Sequence, residues 1–114
     1  MKNKKHIIKF RKINYDIFKA IKNGDKKVET RANTISFQNI KAGDELAFSC
    51  AGESLKKKVR NVKVFKNIKD LLKEYKPSEI NPRIESEEEL IKMYNSFPEY
   101  REKIKKHGII AFEI

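Results

Sequence analysis

Gly24-Asp25-Lys26-Lys27-Val28-Glu29-Thr30-Arg31 is the stretch on which the fold turns, because it packs charge onto what otherwise reads as the start of a strand. On a strand, Lys27, Glu29 and Arg31 share one face while Val28 and Thr30 point the other way. Val28 is then a core residue, and the extended reading continues from Lys27 to Asn33. A glutamate between two cations on one exposed face is a surface pair worth about 0–1 kcal/mol. Lined up in a cleft, the same trio has another use: Arg31 binds a phosphate, while Glu29 accepts from a base amino group or acts as an acid or base.

Upstream, Lys5 to Arg11 reads as a strand with Ile8 and Phe10 in phase. Asn14 is placed to cap a helix whose apolar stripe is Ile13, Ile17, Phe18 and Ile21, and Asn23-Gly24 supplies the stop. Downstream, Thr34 to Ile40 is a loop or one helical turn, and Gly43-Asp44 is a turn signal. Glu45 to Ala51 alternates, with Leu46 and Phe48 on one face, and Ala51-Gly52-Glu53 turns the chain again. Between Leu55 and Phe65 the apolar phase slips from odd to even positions, which predicts a bulge at Arg60-Asn61.

Asn67 caps a short helix carrying Leu71 and Leu72, and Pro77 and Pro82 bracket a loop. Two capping boxes follow, Ser86 with Glu89 and Ser96 with Glu99, each predicting a helix, the second with Pro98 in its first turn. Leu90, Ile91 and Tyr94 form the buried stripe of the first. Ile110, Phe112 and Ile114 alternate against Ala111 and Glu113 in a closing strand. Strands at the ends and middle with helices between them give an α+β class around a small, partly closed antiparallel or mixed sheet.

The chain has 114 residues, with 39% hydrophobic, 10% aromatic and 38% charged side chains. That is enough for one domain, residues 1–114, burying roughly 60% or more of its unfolded surface. No run approaches the ~18 apolar residues of a membrane span. The basic start, Met1-Lys2-Asn3-Lys4-Lys5, leads to no signal-like apolar region, so a cytoplasmic chain is expected. A single cysteine, Cys50, excludes an intrachain disulfide and Cys-rich zinc sites.

The net charge is +11. Residues 1–67 hold 18 basic and 6 acidic side chains, whereas residues 68–114 hold 9 and 10. A basic half beside a neutral half suits a polyanion, nucleic acid foremost, although a lysine-rich solvated surface would look the same.

The remaining candidates are weaker. His6 and His107 stand alone and read as surface or sheet residues rather than ligands. Cys50 reads as a small buried hydrophobe. Lys56-Lys57-Lys58 reads as a hairpin edge that discourages pairing or contributes phosphate contacts. Tyr15, Tyr75 and Tyr100 suit base stacking or packing, and Tyr94 lies on a core stripe.

The pattern Gly-x-Lys-x-x-Glu-x-Arg after an N-terminal helix, followed by Ile40-Lys41-Ala42-Gly43-Asp44-Glu45-Leu46-Ala47-Phe48, resembles the ASCH domain, a branch of the PUA-like β-barrel superfamily. The strand from Val62 to Phe65, the helix Ile68-Lys69-Asp70-Leu71-Leu72, the Glu-rich Ser86 helix, the Tyr100 region and the close His107-Gly108-Ile109-Ile110-Ala111-Phe112-Glu113-Ile114 agree with it.

The resemblance implies a small PUA-like mixed β-barrel with short helices inserted between strands. Its cleft, beside Gly24 to Arg31, faces RNA or a modified nucleoside. Some members resemble an amidohydrolase that deacetylates N4-acetylcytidine with a lysine, a nucleophilic threonine three residues later and a distant glutamate. Lys26 matches that lysine, Glu29 stands where the threonine would be, and the distant glutamate corresponds to Glu74 or Glu79. Other members resemble ribonucleases with Lys, Tyr or Ser in the active site. By residue type, Lys26, Glu29 and Arg31 suit the base, acid and cation of metal-independent RNA cleavage.

The expectation is therefore an RNA- or nucleoside-binding domain. Its contacts are Lys26, Lys27, Glu29, Arg31, Asn33 and Lys57, with Lys26 and Glu29 catalytic if it is an enzyme, and it needs no metal or cofactor. The alternatives are a ribonuclease, an N4-acetylcytidine amidohydrolase, or an adaptor for a protein partner.

Overall fold

The computed structural model describes residues 3–114; Met1 and Lys2, the start of the basic N-terminal run, lie outside the described residues. The chain runs through β1 (Lys5–Lys9), a 3-10 turn (Lys12–Asn14), α1 (Tyr15–Asn23), β2 (Val28–Ala32), α2 (Ile35–Gln38), β3 (Glu45–Cys50) and β4 (Glu53–Lys58). It continues through β5 (Asn61–Phe65), α3 (Ile68–Glu74), α4 (Pro77–Ile80), α5 (Glu87–Asn95), α6 (Tyr100–His107) and β6 (Ile109–Glu113).

The strands pair as two three-stranded sheets, β1-β3-β4 and β2-β6-β5. β1 lies parallel to β3, and the other pairings are antiparallel. The architecture is mixed α+β, and among the described residues no strand pairing closes the sheets into the barrel that the resemblance implies.

Two apolar layers hold the sheets in place. Phe18 and Ile21 of α1, Ile8, Leu46 and Phe48 of the first sheet, and Ile110 and Phe112 of β6 form the layer between the sheets. Val28, Ala32, Ile109 and Ala111 cover the other face of the second sheet, packed against Leu71, Leu90, Tyr94 and Ile104 of the helices. β6 is thus central, buried on both faces, and its run Ile109 to Phe112 carries no exposed position. β1 and β4 are the edges of the first sheet, and β2 and β5 those of the second.

The predicted bulge at Arg60-Asn61 is instead the crossing between the sheets. Val59 still bonds to the first sheet, its N–H donating to the Asp44 carbonyl at 2.8 Å, while the Arg60 N–H donates to the Glu113 carbonyl of β6 at 2.7 Å. The phase slip in the sequence marks a change of partner. The predicted Ser96 helix is also corrected. The Ser96 hydroxyl donates back to the Met93 carbonyl at 2.6 Å, closing α5, and α6 begins only after Glu99, which sits at φ 61°. A residue before proline resists the helical region, so Phe97-Pro98 cannot open a helix there.

Asn14 does not cap α1 with its side chain, and Ile13 is 77% exposed rather than part of the core, because it belongs to the 3-10 turn and lies off the helical stripe. The other caps behave as read. Asn67 Oδ1 accepts from Asp70 N at 2.8 Å, and Ser86 Oγ accepts from Glu89 N at 3.2 Å. The Pro77 to Pro82 segment contains the short helix α4.

Candidate functional site

Gly24, at φ 82°, ends α1 in the left-handed conformation that glycine adopts without a Cβ penalty. The Asp25 and Lys26 N–H groups then both donate to the Ala20 carbonyl, at 2.9 and 3.0 Å. This turn directs Lys26 inward just before β2. Its ammonium, with the residue only 3% exposed, donates to the carbonyls of Val28 and of Ile80, the last residue of α4. Lys26 therefore ties α4 to β2. Burial pushes its pKa down, and the nearby Glu29 carboxylate partly opposes that shift.

Glu29 is 5% exposed and occupies the edge of the second sheet. Its Oε1 accepts from the Thr30 N–H at 3.1 Å and lies 3.7 Å from Lys26 Nζ. Its Oε2 has no hydrogen-bond partner, and Arg31 Nη2 lies 4.0 Å from it. The Arg31 guanidinium lies over the Phe10 ring, 5.7 Å from its centroid, a cation–π distance. Lys26, Glu29, Thr30 and Arg31 line one cleft of about 130 Å³, together with Phe10, Asn14 and Ile17 and with Ile80, Asn81, Arg83, Met93, Tyr94 and Phe97.

The Arg83 side chain spans from the segment after α4 to the far wall. Its Nε donates to Asp16 Oδ2 at 2.7 Å, its Nη1 to Asn14 Oδ1 at 3.3 Å, and its Nη2 to the Ile13 carbonyl at 3.0 Å and to Asp16 Oδ1. The pair holds the Asp16 carboxyl below its ordinary pKa through that hydrogen bonding. It also holds together the two sides of the cleft.

Thr30 points to the opposite face of β2, where its hydroxyl meets the Tyr94 hydroxyl; burial pushes the Tyr94 pKa up. Both hydroxyls belong to residues that line the cleft.

Other expected contacts lie elsewhere. Lys27 is exposed and does not line the cleft. Asn33, just past β2, donates its N–H to the Gly108 carbonyl at 2.9 Å, and its buried Oδ1 is unpartnered. Lys57 stands opposite Leu46 on β4, the far edge of the first sheet from β1, half-buried with its stem toward the core face. Glu74 pairs with Lys63 at 3.1 Å, and Glu79 Oε1 accepts from Lys76 N at 2.9 Å; neither lines the cleft. Tyr75 donates to Glu113 Oε2 at 2.6 Å and is buried, so it offers no stacking face.

Phe10, Asn81, Arg83 and Phe97 were not singled out as site residues from the sequence. The sequence carries no signal for Arg83, which lies just outside the Pro77 to Pro82 segment. Among the described residues no group of three or more His, Cys, Asp or Glu is arranged to hold a metal ion, and no helix is long and apolar enough to cross a membrane.

A family model for the ASCH domain matches residues 12–114. Among solved structures, the crystal structure of hypothetical protein PH0355 is similar, at 31% identity and TM-score 0.81, over 96% of this chain and 95% of that one. The solution NMR structure of protein PF0455 from Pyrococcus furiosus is 27% identical with TM-score 0.72, over 96% and 94%. No curated protein matches the chain.

Proposed function

Because the chain belongs to the ASCH domain family, a family associated with RNA, we propose that it binds RNA or a nucleoside derived from it, with the base in the cleft beside β2. The observation that carries this reading is Glu29 Oε2, a buried acceptor with no donor, set between Lys26 and Arg31. Leaving such an atom unpaired costs about 1–3 kcal/mol, which a ligand N–H repays on binding. Base amino and imino groups are planar N–H donors of that kind. The Phe97 ring and the Arg31 guanidinium, itself seated on Phe10, give a heterocycle flat surfaces to stack on. The net charge of +11 draws polyanions toward the molecule.

One observation favours catalysis as a second reading. Burial lowers the Lys26 pKa, which brings its amine closer to the neutral form that accepts a proton.

Calorimetric titration with cytidine, N4-acetylcytidine and a short single-stranded RNA tests the proposal, with product formation followed in the same samples. Glu29→Gln should weaken binding about 10- to 100-fold, the worth of a hydrogen bond to a charged group. Unchanged affinity would remove Glu29 from the interface, and turnover abolished by Lys26→Ala would establish the enzyme.

A further inference from the structure

The cleft does not end at Arg31. Phe10, Asn14, Arg31 and Phe97 also line a second, wider depression of about 430 Å³, so the two are continuous. Its far wall is β1, an edge of the first sheet, with Phe37 of α2 and Tyr100 at the start of α6. Its charge is one-sided: Lys9, Arg11 and Arg31 line it and no carboxylate does. Lys9 and Arg11 are exposed and, among the described residues, make no ion pair.

Among the described residues Lys22, Lys26, Arg31, Lys56, Lys63, Lys73 and Arg83 have a carboxylate within 4.0 Å, and Lys9 and Arg11 do not. A groove that collects unpaired cations next to half-buried aromatic rings has the composition of a single-strand nucleic acid channel, in which phosphates meet the cations and bases stack on the rings. An extended peptide would instead seek the free edge of a strand. The edge of β2 is already filled, since the N–H groups of Thr30 and Ala32 donate to Glu29 Oε1 and to the Tyr100 hydroxyl. That leaves β1 alone as a pairing edge here, flanked by cations that an uncharged peptide does not require.

We infer that cleft and groove form one track for consecutive nucleotides of single-stranded RNA. One base enters the cleft at Glu29, its neighbour lies on the Phe97 ring, which stands edge-on to Tyr100, and the phosphates meet Lys9 and Arg11. This rests on the nucleobase reading of the cleft and extends the ligand from a nucleoside to a strand.

The test compares cytidine 5′-monophosphate, a short oligocytidylate and an RNA duplex of equal length, on wild type and on the double variant Lys9→Ala, Arg11→Ala. Both positions are exposed, so the variant should fold, which urea unfolding verifies. The single strand should bind wild type more tightly than the monophosphate or the duplex. Each phosphate contact on a single strand contributes about 0.7 to the salt slope, so losing two lowers the slope by about 1.4. Between about 50 and 200 mM salt the variant should therefore lose about sevenfold less affinity than wild type.

A single strand that binds no better than the monophosphate, a duplex that binds as well as the strand, or an unchanged salt slope would overturn the track. If Glu29→Gln still weakens the monophosphate, the cleft stands without it. Absence of binding by monophosphate and strand alike at low salt overturns the cleft reading itself, and an apolar peptide that binds the groove in their place makes it a protein-docking edge.

Discussion

Replacing Lys26 by methionine keeps the length of the side chain and removes its charge. In the folded protein that leaves the carbonyls of Val28 and Ile80 without their donor and the Glu29 carboxylate without its nearest cation, 3.7 Å away. Breaking one side of a buried ion pair costs about 3–5 kcal/mol. Part of that returns, because burial of the ammonium is itself unfavourable, as its lowered pKa records. A net loss of about 3 kcal/mol is expected. With a urea dependence of about 1.5 kcal/mol per molar for a small domain, the unfolding midpoint should fall by about 2 M. Adding Glu29→Gln to the methionine variant removes the stranded charge and should recover about 1–2 kcal/mol, a coupling of the size seen for residues in contact. If the single variant unfolds within about 0.5 kcal/mol of wild type, or the second change brings no recovery, Lys26 does not staple α4 to β2 and its burial has another reason.

Acid stability should turn on Asp44. Its carboxyl is held down to about 2, first by the His6 ring at 2.9 Å and then by the N–H groups of Lys4 and Lys41 at 3.1 Å each. The unfolded carboxyl takes its proton near pH 4 while the folded one resists until about 2, so the unfolded chain binds more protons in that window. The stabilisation is complete above pH 4 and lost as pH falls toward 2, and Asp44→Asn should flatten melting temperature against pH over that range; an unaltered slope would show that the clasp on β1 is not the acid-sensitive element. Gly108→Ala should cost more than about 3 kcal/mol, because the backbone lies at φ 79° and ψ −167°, a region essentially confined to glycine, and a Cβ would collide with the Phe65 carbonyl oxygen. A thermal melt within a few degrees of wild type would contradict that account.

What was legible in the sequence is what depends on neighbours a few residues away. Gly24 ends α1 because a left-handed turn needs no more than the residue itself, and Asn67 and Ser86 cap because their acceptors lie three residues from the donors. Alternation in β3 was readable since one of its faces packs on the core and the other is half-exposed. The rest depends on partners that local periodicity does not encode. Val59 and Arg60 show a slip of phase, but only the distant carbonyls of Asp44 and Glu113 decide that it is a change of sheet. Ser96 carries the same capping pattern as Ser86, yet the proline two residues on spoils the helical start and the hydroxyl serves α5. Lys26, Glu29 and Arg31 were found together because one strand and its preceding turn carry all three. Phe10, Asn81, Arg83 and Phe97 reach the same cleft from three other segments of the chain, and no spacing rule connects them.

The location of the site follows from a structural need of the edge. β2 pairs with β6 on one side, and on the other it would present a row of open N–H groups to any passing strand. Glu29 folds its own side chain back so that Oε1 takes the Thr30 N–H, and Tyr100 takes that of Ala32. Once Oε1 is committed to the backbone, the carboxylate cannot turn freely, and Oε2 is held between Arg31 and the cleft without a donor. The device that protects the strand from aggregation thereby fixes an acceptor in place, which reduces what a ligand must spend on ordering it. Lys26 adds the third element, a positive charge that keeps Glu29 tolerable when the cleft is empty. A free β2 edge, a glutamate that blocks it and a lysine delivered by the Gly24 turn are enough to place an unsatisfied acceptor beside a guanidinium and an aromatic ring.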